Sequence, residues 1–307
     1  MFIITVLQIF TTNIVPILLI MLAGWALARH FDVDVQSIGK ASFYIFSPAL
    51  TFRLIYNSDI SASDSLAVLL AILAVFTGVA LSTWLIAKLL RIGRLETKSL
   101  IVSSSGPNMG NYGLSVAAFA FGDVVLEYAA IIMVAGTIIY NLIAALLSER
   151  QTNFRQTATG LLMIPLLQTS LLALVVRLLQ VQIPLAVYRP IEMLSNAAIP
   201  TLLIILGIHL QSLKLRNINL SLIVGMGMRL IFSPVLAVLI ALWFPLSHFA
   251  RVALALQLAM PSAVMTTILA SEYELDTNLV SSMVVATTLI SPITVSMVIW
   301  FLQHGGL

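Results

Sequence analysis

Ten apolar stretches dominate this chain, at residues 5–28, 38–56, 65–90, 98–121, 126–148, 158–180, 190–211, 220–243, 249–271 and 277–302. A helix needs about 20 mainly apolar residues to cross the hydrocarbon layer of a bilayer, and each stretch meets or approaches that length. The loops between them are short. Of the 307 residues, 60% are hydrophobic and 9% are charged, where a soluble domain carries about 25% charged residues. No soluble core absorbs that much apolar surface. The fold class predicted is therefore an all-α polytopic membrane protein with ten transmembrane helices, and the lipid bilayer is its solvent. The N-terminal Met1-Phe2-Ile3-Ile4 carries no basic stretch and no cleavage site follows it, so it reads as the start of the first span. The chain has no cysteine, which excludes disulfides and thiolate metal sites. The net charge of +3 comes from basic residues in loops and does not point to nucleic acid.

The longest polar interruption runs from Ser148 to Thr157 and divides the chain into two sets of five spans, 1–150 and 151–307. The halves resemble each other. Pro16 pairs with Pro165, Pro48 with Pro200 and Pro107 with Pro261, at offsets of 149, 152 and 154 residues. Asp123 and Asp276, each after a broken span, lie 153 apart. These matches agree with the hydropathy pattern and predict an internal repeat. An odd number of spans per repeat makes the repeat inverted. Orientation follows from Lys and Arg. One set of loops holds Arg29, Lys40, Lys88, Arg91, Arg94, Lys98, Arg150, Arg155, Lys214 and Arg216; the other holds Arg53, Arg177, Arg189 and Arg251. The first set is expected in the cytoplasm, with both termini on the opposite side.

Two spans are interrupted. Ser103-Ser104-Ser105-Gly106-Pro107-Asn108-Met109-Gly110-Asn111-Tyr112-Gly113 breaks the fourth, and Gln257-Leu258-Ala259-Met260-Pro261-Ser262-Ala263 breaks the ninth. Proline lacks an N–H and clashes with the carbonyl four residues earlier. Lipid offers no partner for backbone groups freed this way, so such a break persists only where protein or a water-filled cavity satisfies them. Paired breaks in related halves point to a secondary transporter's binding site. A half-helix starting after Pro107 aims unpaired N–H groups and a positive dipole end into the break, which suits a carboxylate. Ser105, Gly106, Pro107, Asn108, Asn111 and Tyr112 are the substrate-binding candidates from the first break, and Gln257, Pro261 and Ser262 from the second. Asn196, beside Pro200, is a further candidate polar contact. The alternative is that both breaks are ordinary proline kinks, which membrane helices tolerate.

Arg229 lies well inside a span and permits two readings, a functional charge or a side chain that snorkels to the interface. His209, near Gln211 and Lys214, reads as an interfacial histidine. No Asp or Glu falls mid-span, which argues against a carboxylate relay or an acidic sodium cage. Metal-ligand spacing, a nucleophile elbow and a phosphate-binding loop are all absent, so neither an enzyme nor a cofactor is expected. Trp25, Trp84, Trp243 and Trp300 read as interface anchors.

At the first break the chain resembles the auxin efflux carrier family, which belongs to the same superfamily as the bile acid:sodium symporters. Pro107-Asn108 with Gly113-Leu114, and Gly110-Asn111-Tyr112-Gly113-Leu114, are similar to that family's crossover motifs; Ser115 stands where the family usually has proline. Pro261 through Leu269-Ala270-Ser271-Glu272-Tyr273, Ser291-Pro292-Ile293-Thr294 and Phe46-Ser47-Pro48-Ala49-Leu50 extend the resemblance over nearly the whole chain. It implies two inverted five-helix repeats in which broken helices 4 and 9 cross. Spans 1, 2, 6 and 7 would be a scaffold through which a homodimer forms. Spans 3–5 and 8–10 would be a transport domain moving as an elevator. The substrates implied are small organic anions, auxin-like monocarboxylates or dicarboxylates, moved in the export direction, with Asn108 at the substrate carboxylate. The compact length suggests a bacterial member in the inner membrane. Two other readings stand beside this one: a sodium-coupled symporter of the bile-acid type, and a membrane sensor that does not transport.

Overall fold

The computed structural model describes residues 2–149, 159, 160, 162–213, 215 and 218–307. Arg150, Arg155, Lys214 and Arg216, four of the loop cations used to assign orientation, lie outside the described residues. The described chain is helical, without strands. Its elements are α1 (Phe2–His30), α2 (35–57), α3 (Ala62–Leu89), α4 (Arg94–Ser105), α5 (109–121), α6 (Asp123–Leu146), α7 (Pro165–Leu178), α8 (Leu185–Ser212), α9 (Leu220–Trp243), α10 (His248–Leu258), α11 (Met265–Glu272) and α12 (Thr277–Gln303). Helices α1, α3, α6, α8, α9 and α12 supply the six segments long and apolar enough to cross a membrane. The others are shorter or interrupted.

Proline shapes several of these helices from within. In α1, α2 and α9 a wide π turn, at Phe10–Ile14, Ser42–Phe46 and Met228–Phe232, is followed two residues on by Pro16, Pro48 and Pro234. The carbonyl each ring would strike, four residues back, lies inside the π turn, and the wider turn moves it away. The helix is bulged and continues. A fourth π turn, Met109–Leu114, opens α5 and has Val116 at the corresponding place. Helix starts are set by side chains: Asp34 accepts from the N–H groups of Gln36 and Ser37, Ser61 from Asp64, and Asp276 from Asn278 and Leu279.

The helices sort into two packed groups. In the first, α1 lies against α8, and α2 against α7 and α8. The α1–α8 contact is backbone to backbone. A Cβ on Gly207 would stand 1.9 Å from the Met21 carbonyl oxygen, and one on Gly24 would stand 2.2 Å from that of Ile204. Only glycine admits that approach. In the second group, α6 packs on α10 and α3, α3 on α4, and α9 on α10. Between the groups, the start of α5 meets α8, and α2 meets α6.

Candidate functional site

The two sequence breaks meet inside the second group. Pro107 and Ser262 face each other as an isolated antiparallel bridge. The Asn108 N–H donates to the Pro261 carbonyl (2.7 Å), and the Ala263 N–H donates to the Gly106 carbonyl (2.8 Å). The Ser262 hydroxyl donates to the Ser103 carbonyl (2.8 Å), and the Ser262 N–H donates to the Thr287 hydroxyl of α12 (3.0 Å). Each break thus supplies partners to the other, which meets the requirement that backbone inside a membrane be satisfied by protein.

Past the crossing, α5 begins without a full set of partners. The Gly113 N–H reaches the Asn108 carbonyl (2.9 Å), and the N–H groups of Gly110, Asn111 and Tyr112 precede that first bond of the π turn. Asn108 is buried, and its side-chain Nδ2 has no partner among the described residues. A buried amide donor left unpaired costs about 1–3 kcal/mol, so its retention marks a group held for something else.

Asn108 lines a cavity of about 440 Å³. Pro107, Asn108, Gly110 and Asn111 form one wall; Met133, Thr137, Tyr140 and Asn141 of α6 form a second; Met265, Ile268 and Glu272 of α11 form a third. The remaining wall comes from the other helix group, through Phe43 of α2, Ile164 and Leu166 at the start of α7, and His209 of α8. A second cavity of about 240 Å³ shares Phe43, Gly110, Asn111 and Met133 and reaches Ser42, Ser47 and Thr51 of α2. The space lies at the seam between the two groups. It is mostly apolar, with a few convergent polar groups, as expected of a small-molecule site.

The sequence candidates are distributed unevenly over this geometry. Pro107, Asn108 and Asn111 line the cavity. Gly106, Pro261 and Ser262 build the crossing behind it. Ser105 is buried at the end of α4 with its hydroxyl unpaired. Tyr112 is fully buried in the core and does not border the cavity. Gln257 is also fully buried, packed against Gly113, and both its amide atoms lack partners. Asn196 is elsewhere: its Oδ1 accepts from Arg53 of α2 (2.6 Å). His209 borders the cavity, with a buried and unpaired Nδ1. Thr137, Tyr140 and Asn141 were not among the candidates. Their spacing of three and four residues puts them on one face of an otherwise apolar helix, a polar stripe that sequence alone displays. The Tyr140 hydroxyl is buried and unpaired.

Comparison with known proteins identifies the family. The family described as membrane transport protein, the auxin efflux carrier type, matches residues 9–160 and 150–300. The chain belongs to that family. It is a membrane transport protein and not an enzyme. Similar proteins include an uncharacterized transporter of Methanothermobacter thermautotrophicus, 27% identical over 296 residues, covering 94% of this chain and 97% of the relative. Another is an uncharacterized transporter of Methanocaldococcus jannaschii, 24% identical over 307 residues, covering 95% and 99%. Both relatives are archaeal.

Proposed function

We propose that this protein is a secondary transporter that exports small organic anions, monocarboxylates of the auxin type or dicarboxylates, through the cavity at the helix crossing. The observation that carries this reading is the unpaired, buried Asn108 amide beside the leading N–H groups of α5, on the wall of a cavity. Donors and a positive dipole end converge there, and a carboxylate complements both. The apolar remainder of the wall suits an organic body attached to that carboxylate.

The membrane topology that accompanies this reading has ten spans in two inverted repeats. Helices α4 and α5 together make span 4, and α10 and α11 make span 9. Residues 1–150 form the first repeat and 151–307 the second. Helices α1, α2, α7 and α8 act as a scaffold that dimerises, and the rest as the moving domain. The seam position of the cavity supports alternating access by sliding one group past the other, because such movement changes which side of the membrane the seam opens to. The termini lie on the non-cytoplasmic side of the inner membrane.

Purified protein in liposomes tests the proposal. Uptake of indole-3-acetate and of succinate should be measured against protein-free liposomes. Saturable uptake of at least one supports the anion reading. Equal leakage in both liposome types for every carboxylate tried contradicts it.

A further inference from the structure

Arg229 lies in α9 with none of its surface exposed. It therefore does not snorkel. Its Nη1 donates to the Ser104 carbonyl (2.6 Å), and its Nη2 donates to the Leu258 carbonyl and to the Ser233 hydroxyl (2.5 Å). Ser233 in turn donates to the Leu258 carbonyl (2.9 Å). Among the described residues the ion pairs are Arg94 and Lys98 with Glu149, so no carboxylate is paired with Arg229.

Its two backbone acceptors have a common character. Ser104 is the next-to-last residue of α4, and Leu258 is the last residue of α10. Both are the half-helices that run into the crossing, and their C-terminal carbonyls carry the negative ends of the helix dipoles. Each end is equivalent to about half an elementary charge, so two together balance roughly one positive charge. Guanidinium remains charged in proteins. The site is therefore a one-cation site made of backbone carbonyls and a hydroxyl, and a tethered cation fills it. Half-helix C-termini and freed carbonyls of this sort are what hold a coupling sodium ion in carriers with broken helices.

We infer that Arg229 is a built-in substitute for a coupling cation: its charge holds the two half-helix ends together permanently, and the crossing forms without bound sodium. The inference rests on the crossed-helix transporter reading but not on the identity of the transported anion. It assigns Arg229 as a positioning residue, and it separates this chain from a sodium-coupled symporter on a physical ground.

The test uses thermal melting of the purified full-length protein in detergent, which needs no substrate. Wild type is expected to melt at the same temperature in sodium chloride and in choline chloride at equal ionic strength. Arg229→Ala leaves two dipole ends facing one another without a cation and is expected to melt roughly 5–10 °C lower in choline chloride. Sodium chloride or millimolar methylguanidinium should raise the variant's melting temperature and leave wild type unmoved. Arg229→Lys keeps a fixed charge and should melt near wild type, indifferent to sodium. A sodium-specific rise in wild type overturns the inference. So does an Arg229→Ala protein whose loss is the same in all three salts, because that is how a merely structural side chain behaves. If Arg229→Ala gives no folded protein, Arg229→Lys decides: a sodium-dependent melting temperature there overturns the inference, and indifference supports it. Failure of organic anions to be taken up leaves these melting results unaffected, so the two readings fail separately.

Discussion

Gly113 and Gln257 occupy one space. A Cβ at Gly113 would stand 2.1 Å from the Gln257 Oε1 and 2.9 Å from its Cδ, and Gln257 is fully buried. The glycine was legible as part of a broken span, but its neighbour was not, because 144 residues separate them. Gly113→Ala is expected to destabilise the protein by roughly 1–3 kcal/mol through overpacking. Adding Gln257→Ala removes the obstructing amide and should return most of that loss. Melting temperatures of the two single variants and the double variant form the cycle; a double variant no better than Gly113→Ala places the strain elsewhere. Asn196 teaches the same lesson. A polar residue beside a mid-span proline announces that it has a partner, but that partner is Arg53, 143 residues away.

Between elements, the closest packing belongs to α1 and α8. Gly24 and Gly207 let two backbones touch, and neither obstructing atom can rotate aside, since both are carbonyl oxygens. Gly207→Ala should therefore separate the pair and lower the melting temperature by more than an alanine at Gly227, where a Cβ meets nothing within 4 Å. Equal shifts in the two variants would show that the helices part at no cost. Element positions were legible in the sequence because bilayer thickness fixes how long an apolar run must be. The two breaks were legible because proline and glycine act locally. The π turns were not: Pro16, Pro48 and Pro234 signal only that a carbonyl must move, and a kink or a bulge relieves the clash equally well.

Across the whole molecule, two helix groups meet at a seam, and the cavity sits on it. The polar stripe of α6 forms a wall that no break announces, since α6 contains no proline. Which face of a regular helix turns inward depends on neighbours that a single sequence does not display. Orientation is a property at this scale as well. The basic residues favour one side by ten to four, counted over named loop residues of the full sequence. A reporter active only in the cytoplasm, fused to the C-terminus, should stay silent, and the same reporter placed in the turn at 90–93 should be active. The reverse pattern would invert the whole molecule in the membrane.

The Asn108 Nδ2 has no partner among the described residues, so Asn108→Ala removes no hydrogen bond of that donor within them. A hydrogen bond from the amide to a charged carboxylate contributes about 1.5–3 kcal/mol, roughly ten- to a hundred-fold in affinity. The decisive measurement is the affinity of purified Asn108→Ala for whichever carboxylate the wild type takes up, determined alongside melting temperature on the same sample. The expected result is affinity weakened at least about ten-fold with a melting temperature close to wild type. Wild-type affinity together with a lowered melting temperature would contradict it and make Asn108 a structural residue of the crossing.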